Sequence, residues 1–443
     1  MKSRQSRRTF LAVSGVWTAS ALLPRMGRAA DANSKLRVAS IGTGNKGADD
    51  LRQVAASDRV EVVALCNVEQ NKDHFGWAVE KFPKAAQFRD WRKLLDDPKS
   101  FDAVIVSTPD HMHAPISLPA MELGKHVYCQ KPLTHTVHEA RQMQAAARKA
   151  KVVTQMGNQI QSHKFYRTAV KLVQDGTIGK VREVHSWQSG KLSWMKVDDR
   201  PVGSDPVPMS LDWDGWLGVA PERPYKSEIY APFNWRAWQD FSSGQLGDFG
   251  CHILDPVFKA LDLTAPMTIV ADAPAINKEV WTKWCKVSYL FPGTSYTANR
   301  GIPVTWYDGE GKMPSAEQIG LPKSVKLPGA GSVLLGEKGS LIIPHVGMPT
   351  LVGEQVEGKT IEFAPELNHY TGWAHACLGD GSTGSNFDYS APLTATVLLG
   401  VIALQLPGES LTWNDADGVV SNSAKANTLL SKPYRKGWEP KWV

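Results

Sequence analysis

The chain has 443 residues, 42% of them hydrophobic, and a formal net charge of +6. That length leaves room for two or three domains of ordinary globular composition. The first 30 residues hold six bases and no acid, and setting these six aside from the 50 bases leaves 44 against 44 acids, so the near-neutral remainder excludes a polyanion such as nucleic acid as an expected partner.

Residues 1–32 read as an export leader. Ser6-Arg7-Arg8-Thr9-Phe10-Leu11 is a twin-arginine motif, Leu11 to Leu23 is apolar, and Ala29-Ala30-Asp31-Ala32 supplies the small residues of a cleavage site. The twin-arginine (Tat) export machinery is therefore an expected partner, and the expected destination is the periplasm or another exported location. The apolar stretch is short for a membrane span, so no stable insertion is expected after cleavage; an uncleaved anchor is the alternative. The five cysteines are odd in number and show no metal-ligand spacing, which argues against a disulfide framework.

Residues 33–157 alternate short apolar runs with helical stretches. Leu36–Ile41, Val60–Cys66, Ala103–Val106, Val127–Cys129 and Val152–Met156 read as buried parallel strands. Between them, Ala48–Ala56, Asn71–Phe82, Ile116–Leu123 and Val137–Ala150 are helix-compatible, which predicts an α/β, doubly wound Rossmann domain. From 158 to 443 the texture changes. A helix at Phe165–Gln174 precedes strands at Val181–Trp187, Thr268–Ala271, Val287–Phe291 and Ser340–Ile343, which suggests a second α/β domain with an open, mainly antiparallel sheet. Residues 308–332 read as a surface excursion and Ala391–Leu406 as a helix packing back onto the body. An open sheet edge favours a homo-oligomer.

The first predicted strand runs into Gly42-Thr43-Gly44-Asn45-Lys46-Gly47, a dinucleotide-binding fingerprint in its required strand–turn–helix setting. Gly42 suits a tight turn, Gly44 the approach of a pyrophosphate, and Gly47 close helix packing; Asn45 and Lys46 join them as cofactor-side residues. After the next strand, Asn67 stands where a carboxylate ordinarily binds the ribose. An amide bonds a ribose without repelling a 2′-phosphate, and Lys72 follows closely, so NAD is expected and NADP stays possible.

Further on come Ser107-Thr108-Pro109-Asp110-His111-Met112-His113-Ala114-Pro115 and Cys129-Gln130-Lys131-Pro132-Leu133, then Gly247-Asp248-Phe249-Gly250-Cys251-His252. With the glycine loop, these blocks make the chain from about Leu36 onward resemble the Gfo/Idh/MocA family of NAD(P)-dependent oxidoreductases. The resemblance implies a Rossmann domain followed by an α/β domain and substrates that are mostly sugars and cyclitols. Its Glu-Lys-Pro block maps onto Gln130-Lys131-Pro132 and makes Lys131 catalytic. Gln130 replaces the usual glutamate, which removes an anion from beside Lys131. Its Asp-x-x-x-His pair maps onto Asp248 and His252, whose i, i+4 spacing on a helix sets both on one face. His252 suits a base near neutral pH, and Asp248 an orienting or relay role. The loop carrying Thr108, Pro109, His111 and His113 borders the nicotinamide in the family. The alternating histidines also invite a metal, but local hydrogen bonding is the preferred account and no metal is expected. His135 and His138 read as surface residues at a helix start.

Asn158 and Gln159 follow the last Rossmann strand, in the crevice where ligands bind such sheets. With Tyr166, Trp235 and Arg236 they are candidate substrate contacts. Trp187, Trp194, Trp213, Trp216, Trp235 and Trp238 cluster within a chain that has 16 tryptophans, and one or two suit a sugar platform. The expectation is an exported oxidoreductase acting on a ring hydroxyl of a sugar, glycoside or cyclitol, with a tightly held and internally recycled cofactor. The alternatives are a redox-neutral NAD-dependent glycosidase, which oxidises, eliminates, hydrates and re-reduces, and a non-catalytic sugar sensor.

Overall fold

The computed structural model describes residues 35–439 apart from 191–194 and 196; the expected leader and Trp194 lie outside the described residues. Six parallel strands form the first sheet: β1 Leu36–Ile41, β2 Val60–Cys66, β3 Ala86–Phe88, β4 Ala103–Val106, β5 His126–Cys129 and β6 Thr154–Met156. Their order is β3-β2-β1-β4-β5-β6, the doubly wound Rossmann arrangement. Helices cover both faces, so β4 is buried at every position and its sequence is a continuous apolar run. Strand β3 escaped the sequence reading because it is a short edge strand whose residues are mostly exposed.

The second sheet has nine strands: β7 Val181–Gln188, β8 Thr268–Asp272, β9 Cys285–Pro292, β10 Gly301–Asp308, β11 Ala330–Gly336, β12 Ser340–Pro344, β13 Thr350–Val352, β14 Leu411–Asn414 and β15 Val419–Val420. All neighbours run antiparallel except β7 and β10. In β9 burial alternates strictly, with Cys285, Val287, Tyr289 and Phe291 inward. Each such large side chain contributes about 1.5–3 kcal/mol of burial.

The 18-residue helix Phe387–Leu404 joins the layers, packing on the helices Val137–Ala150 and Gly244–Ile253 and on β8. It is long and apolar enough to cross a membrane, but 78% of it is buried inside the protein. The excursion expected over residues 308–332 is a correction. Ala316, Ile319 and Leu321 fold back to form a small core with Trp187, and the Trp187 indole donates to the Pro328 carbonyl at 2.7 Å. All five cysteines are free thiols.

Candidate active site

Strand order reverses between β1 and β4, so the loops after these strands part and leave a crevice at their carboxyl ends. Gly42 turns there with φ +85°, and a Cβ on it would stand 2.4 Å from the Ser107 carbonyl oxygen. A Cβ on Gly47 would stand 2.3 Å from the Gly42 oxygen, so both positions must be glycine for the helix Lys46–Val54 to start against the strand end. At Gly44 a Cβ would meet the His74 ring at 2.6 Å. The segment after β2 thus supports the loop: Thr43 donates to the His74 carbonyl at 2.6 Å, and the Trp77 indole donates to the Thr43 carbonyl at 2.8 Å.

The loop opens into a cleft of about 530 Å³. Gly42, Gly44, Asn45, Lys46 and Gly47 line one end with Asn67; Lys131, Trp235, Arg236, Asp248 and His252 line the other, and Thr108, Pro109 and Gln130 also belong to the wall. This cradle fits a dinucleotide, with backbone N–H groups at a helix start for the pyrophosphate. At the ribose end the cleft also carries Glu69, whose carboxylate accepts from the Asn71 N–H at 3.1 Å. Glu69 thus brings a carboxylate to the cleft two residues after Asn67. Lys72 is exposed and does not line the cleft.

Lys46 lines the cleft with the glycine loop, but not through its charged end. Its ammonium turns away to Asp49 at 2.5 Å, the fully buried Asp50 at 2.8 Å and the Tyr370 hydroxyl at 2.8 Å. These anions outweigh burial and raise its pKa. Asp50 also accepts from the Ser107 hydroxyl at 2.7 Å and from the Gln130 side-chain amide at 2.8 Å. The anion missing at position 130 is therefore present one contact away, on the glycine-loop helix.

Lys131 lies at the end of β5 and reaches across to the helix Gly244–Ile253. Its Nζ donates to the Asp248 carboxylate at 2.5 Å and to the Asp248 carbonyl at 2.9 Å. Arg236 approaches the same carboxylate oxygen at 3.4 Å and lies over the Trp235 ring. Burial favours protonating Asp248, but the Lys131 and Arg236 cations outweigh it and hold the carboxyl below its ordinary range. One turn on, His252 is held well below the ordinary imidazole value by burial and the Lys131 charge, so it is neutral at pH 7. Its Nδ1 is enclosed and has no hydrogen-bond partner among the described residues, which leaves Nε2 to meet a ligand.

His111 and His113, expected at the cofactor, lie instead in the protein interior and line no part of the cleft. Burial lowers their pKa values to about 3 and about 4. The His113 ring sits between the Thr108 and Pro132 carbonyls, each 2.8 Å from a ring nitrogen, and its single N–H donates to one of them. His135 is likewise no surface residue: it contacts the Ser242 carbonyl at 3.0 Å and the Lys432 ammonium. Asn158, expected at the substrate, turns to the buried Asp255 at 2.6 Å; the Tyr166 hydroxyl, also expected there, donates to Asp255 at 2.9 Å, while the residue lines a second cavity next to the cleft. Gln159, Trp235 and Arg236 do line the cleft, as does Trp216. Trp213 stacks on Trp216, while Trp187 and Trp238 are buried.

The sequence reading passed over Asp110. It is 3% exposed and accepts from the Ser243 N–H at 3.1 Å, at the start of the helix that carries Asp248. Burial first, and the Asp248 charge second, push its carboxyl up to about 7. No cluster of three potential metal ligands occurs among the described residues.

Residues 36–158 match the oxidoreductase family's NAD-binding Rossmann fold, and residues 164–302 match that family's C-terminal alpha/beta domain. The chain belongs to the Gfo/Idh/MocA oxidoreductase family. It carries an NAD-binding Rossmann domain in this family's setting. Among relatives, it is 27% identical over 188 residues to a levoglucosan dehydrogenase of Pseudarthrobacter phenanthrenivorans, covering 42% of this chain and 40% of that protein. It is 40% identical over 133 residues to a glycosyl hydrolase family 109 protein of Stenotrophomonas maltophilia, covering 28% and 29%. The chain therefore spans well under half the length of these relatives. In fold it resembles the WlbA dehydrogenase of Bordetella pertussis, solved with NADH and UDP-GlcNAcA, at TM-score 0.59 and 16% identity over 86% of this chain and 99% of that one.

Proposed function

We propose that this protein is an exported oxidoreductase that removes hydrogen from a ring hydroxyl of a sugar, glycoside or cyclitol. The observation that carries this reading is the meeting of Lys131, Asp248 and His252 at one end of a cleft whose other end is the glycine loop. NAD, when bound, supplies the hydride acceptor. Gly42, Gly44, Asn45 and Gly47 would hold its pyrophosphate, and Asn67 with Glu69 its ribose. Lys131 donates to the substrate hydroxyl oxygen, and neutral His252 takes the proton at Nε2. Asp248, held ionised by Lys131 and Arg236, fixes where the ammonium points. Trp216 and Trp235 supply apolar walls against which a sugar ring stacks and from which water is displaced.

The twin-arginine motif supports export of the folded protein with its cofactor aboard. A cofactor released reduced outside the cytoplasm would be lost, so the proposal includes its reoxidation in place. Mass spectrometry of nucleotide extracted from protein purified without additions tests retention: NAD in near-equal amount to protein is expected, and an empty protein contradicts it.

The 40%-identical stretch shared with the family 109 glycosyl hydrolase favours a second reading, a redox-neutral glycosidase using the same three residues. Cofactor-loaded protein incubated with aryl glycosides and no added acceptor separates the two. Many turnovers of aryl release support the glycosidase, and none supports the oxidoreductase.

A further inference from the structure

A second cavity, of about 260 Å³, lies beyond the catalytic end of the cleft. The two spaces share two lining residues, Gln159 and His252. A molecule reacting at His252 thus has the cofactor cleft on one side and this second space on the other. Its walls come from the loop and helix after β6, the end of β12, and residues 366–370.

The lining alternates polar groups with apolar surface. Gln53, His163 and Glu366 stand among Ile160, Phe165 and Ile343, which suits the hydroxyl edges and C–H faces of a sugar ring. No lysine or arginine lines it among the described residues. Burial keeps its His252 and His345 neutral, and Glu366 adds an acidic side chain. An anionic substituent such as a sugar phosphate, a nucleotide or a uronate would meet no lysine or arginine there. At the rim, Val346 is 71% exposed and Leu367 is 52% exposed, so the cavity opens to solvent rather than closing behind one ring.

We propose that this cavity is a subsite for a second, uncharged sugar ring, so that the substrate is a neutral glycoside of at least two rings rather than a free monosaccharide. The inference rests on the sugar-oxidising reading above, and the two fail differently.

The test uses cofactor-loaded full-length protein and three pairs of probes: methyl β-glucoside with cellobiose, methyl α-glucoside with maltose, and methyl β-galactoside with lactose. Within each pair the non-reducing ring and its linkage are the same and only the second ring differs. Nicotinamide absorbance and released sugar are read together. In the pair that reacts, the disaccharide is expected to show a KM at least roughly tenfold lower, as fits one extra well-packed ring. Val346→Trp and Leu367→Trp, both at exposed rim positions, should erase that advantage and leave kcat and KM for the methyl glycoside unchanged. Equal KM values within a reacting pair overturn the subsite and leave the proposed function standing, and this comparison needs no variant. Variants that impair both members alike also overturn the subsite. Failure of all six probes to react overturns the proposed function, and the subsite with it.

Discussion

The Gln130 side-chain amide donates to the buried carboxylate of Asp50 at 2.8 Å, joining the residue before Lys131 to the helix that starts at the glycine loop. In the same amide, Oε1 accepts from the Lys131 N–H at 3.3 Å. A glutamate at 130 would set a second carboxylate against Asp50, so the amide at 130 and the acid at 50 belong together.

Separating that pair should be costly, and exchanging it should not. Asp50→Asn leaves Lys46 without its buried anion, and Gln130→Glu crowds two carboxyls; each should destabilise the protein by about 1–3 kcal/mol in urea unfolding. The double variant restores one acid and one amide at the 50–130 contact and should recover the part of the loss that belongs to that contact, though not the Lys46 pair. Additive losses would show that the two positions do not act as a pair.

His252 is held neutral, so its pH dependence should be displaced. An imidazole with its ordinary value would lose base activity as pH falls through about 6.5. Here kcat/KM should show no His252 inflection between about pH 8 and pH 6, with the acid limb lying lower. A loss of rate centred near 6.5 that disappears in Asp110→Asn would belong to Asp110; one that persists there would contradict the His252 assignment.

Asp110 makes stability depend on pH in a defined direction. Its native pKa of about 7 lies above the unfolded value, so between roughly pH 4 and pH 7 the native state holds the extra proton. The stabilisation is complete below that window and is lost as pH rises through it, on the order of 4 kcal/mol in all. Asp110→Asn keeps an acceptor for the Ser243 N–H and should flatten unfolding free energy across that window. A slope as steep as wild type would refute the assignment.

Asp255 collects the Asn158, Gln161 and Tyr166 side chains and the Tyr389 hydroxyl in the interior. Asp255→Ala strands those donors and should cost about 3–5 kcal/mol of stability, read by denaturant midpoint. A loss below about 1 kcal/mol would mean that water replaces the carboxylate.

Much of the first domain was legible because parallel strands buried on both faces are continuous apolar runs. β10 was not, although it lies between β7 and β9 in the second sheet, because Gly301 and Pro303 interrupt the pattern. In the site, Lys131, Asp248 and His252 were marked by short blocks, and the structure brings them to one cleft end. Asn158, His111 and His113 were placed correctly along the chain yet face inward. Sequence position locates a loop at the crevice but does not say to which side its side chains turn. Asp50 carried no signal of its own in the sequence, and only the fold shows Lys46, Ser107 and Gln130 closing over it. Glu69 could have been found by looking two residues past Asn67.

The most direct test of the account is the absorbance of reduced nicotinamide when cofactor-loaded protein is mixed with neutral glycosides, wild type against Lys131→Met. Wild type should show sugar-dependent reduction of bound cofactor. The variant should retain its cofactor and react roughly 10²–10⁴-fold more slowly. Equal rates in the two proteins, or no sugar-dependent reduction in wild type, would contradict it.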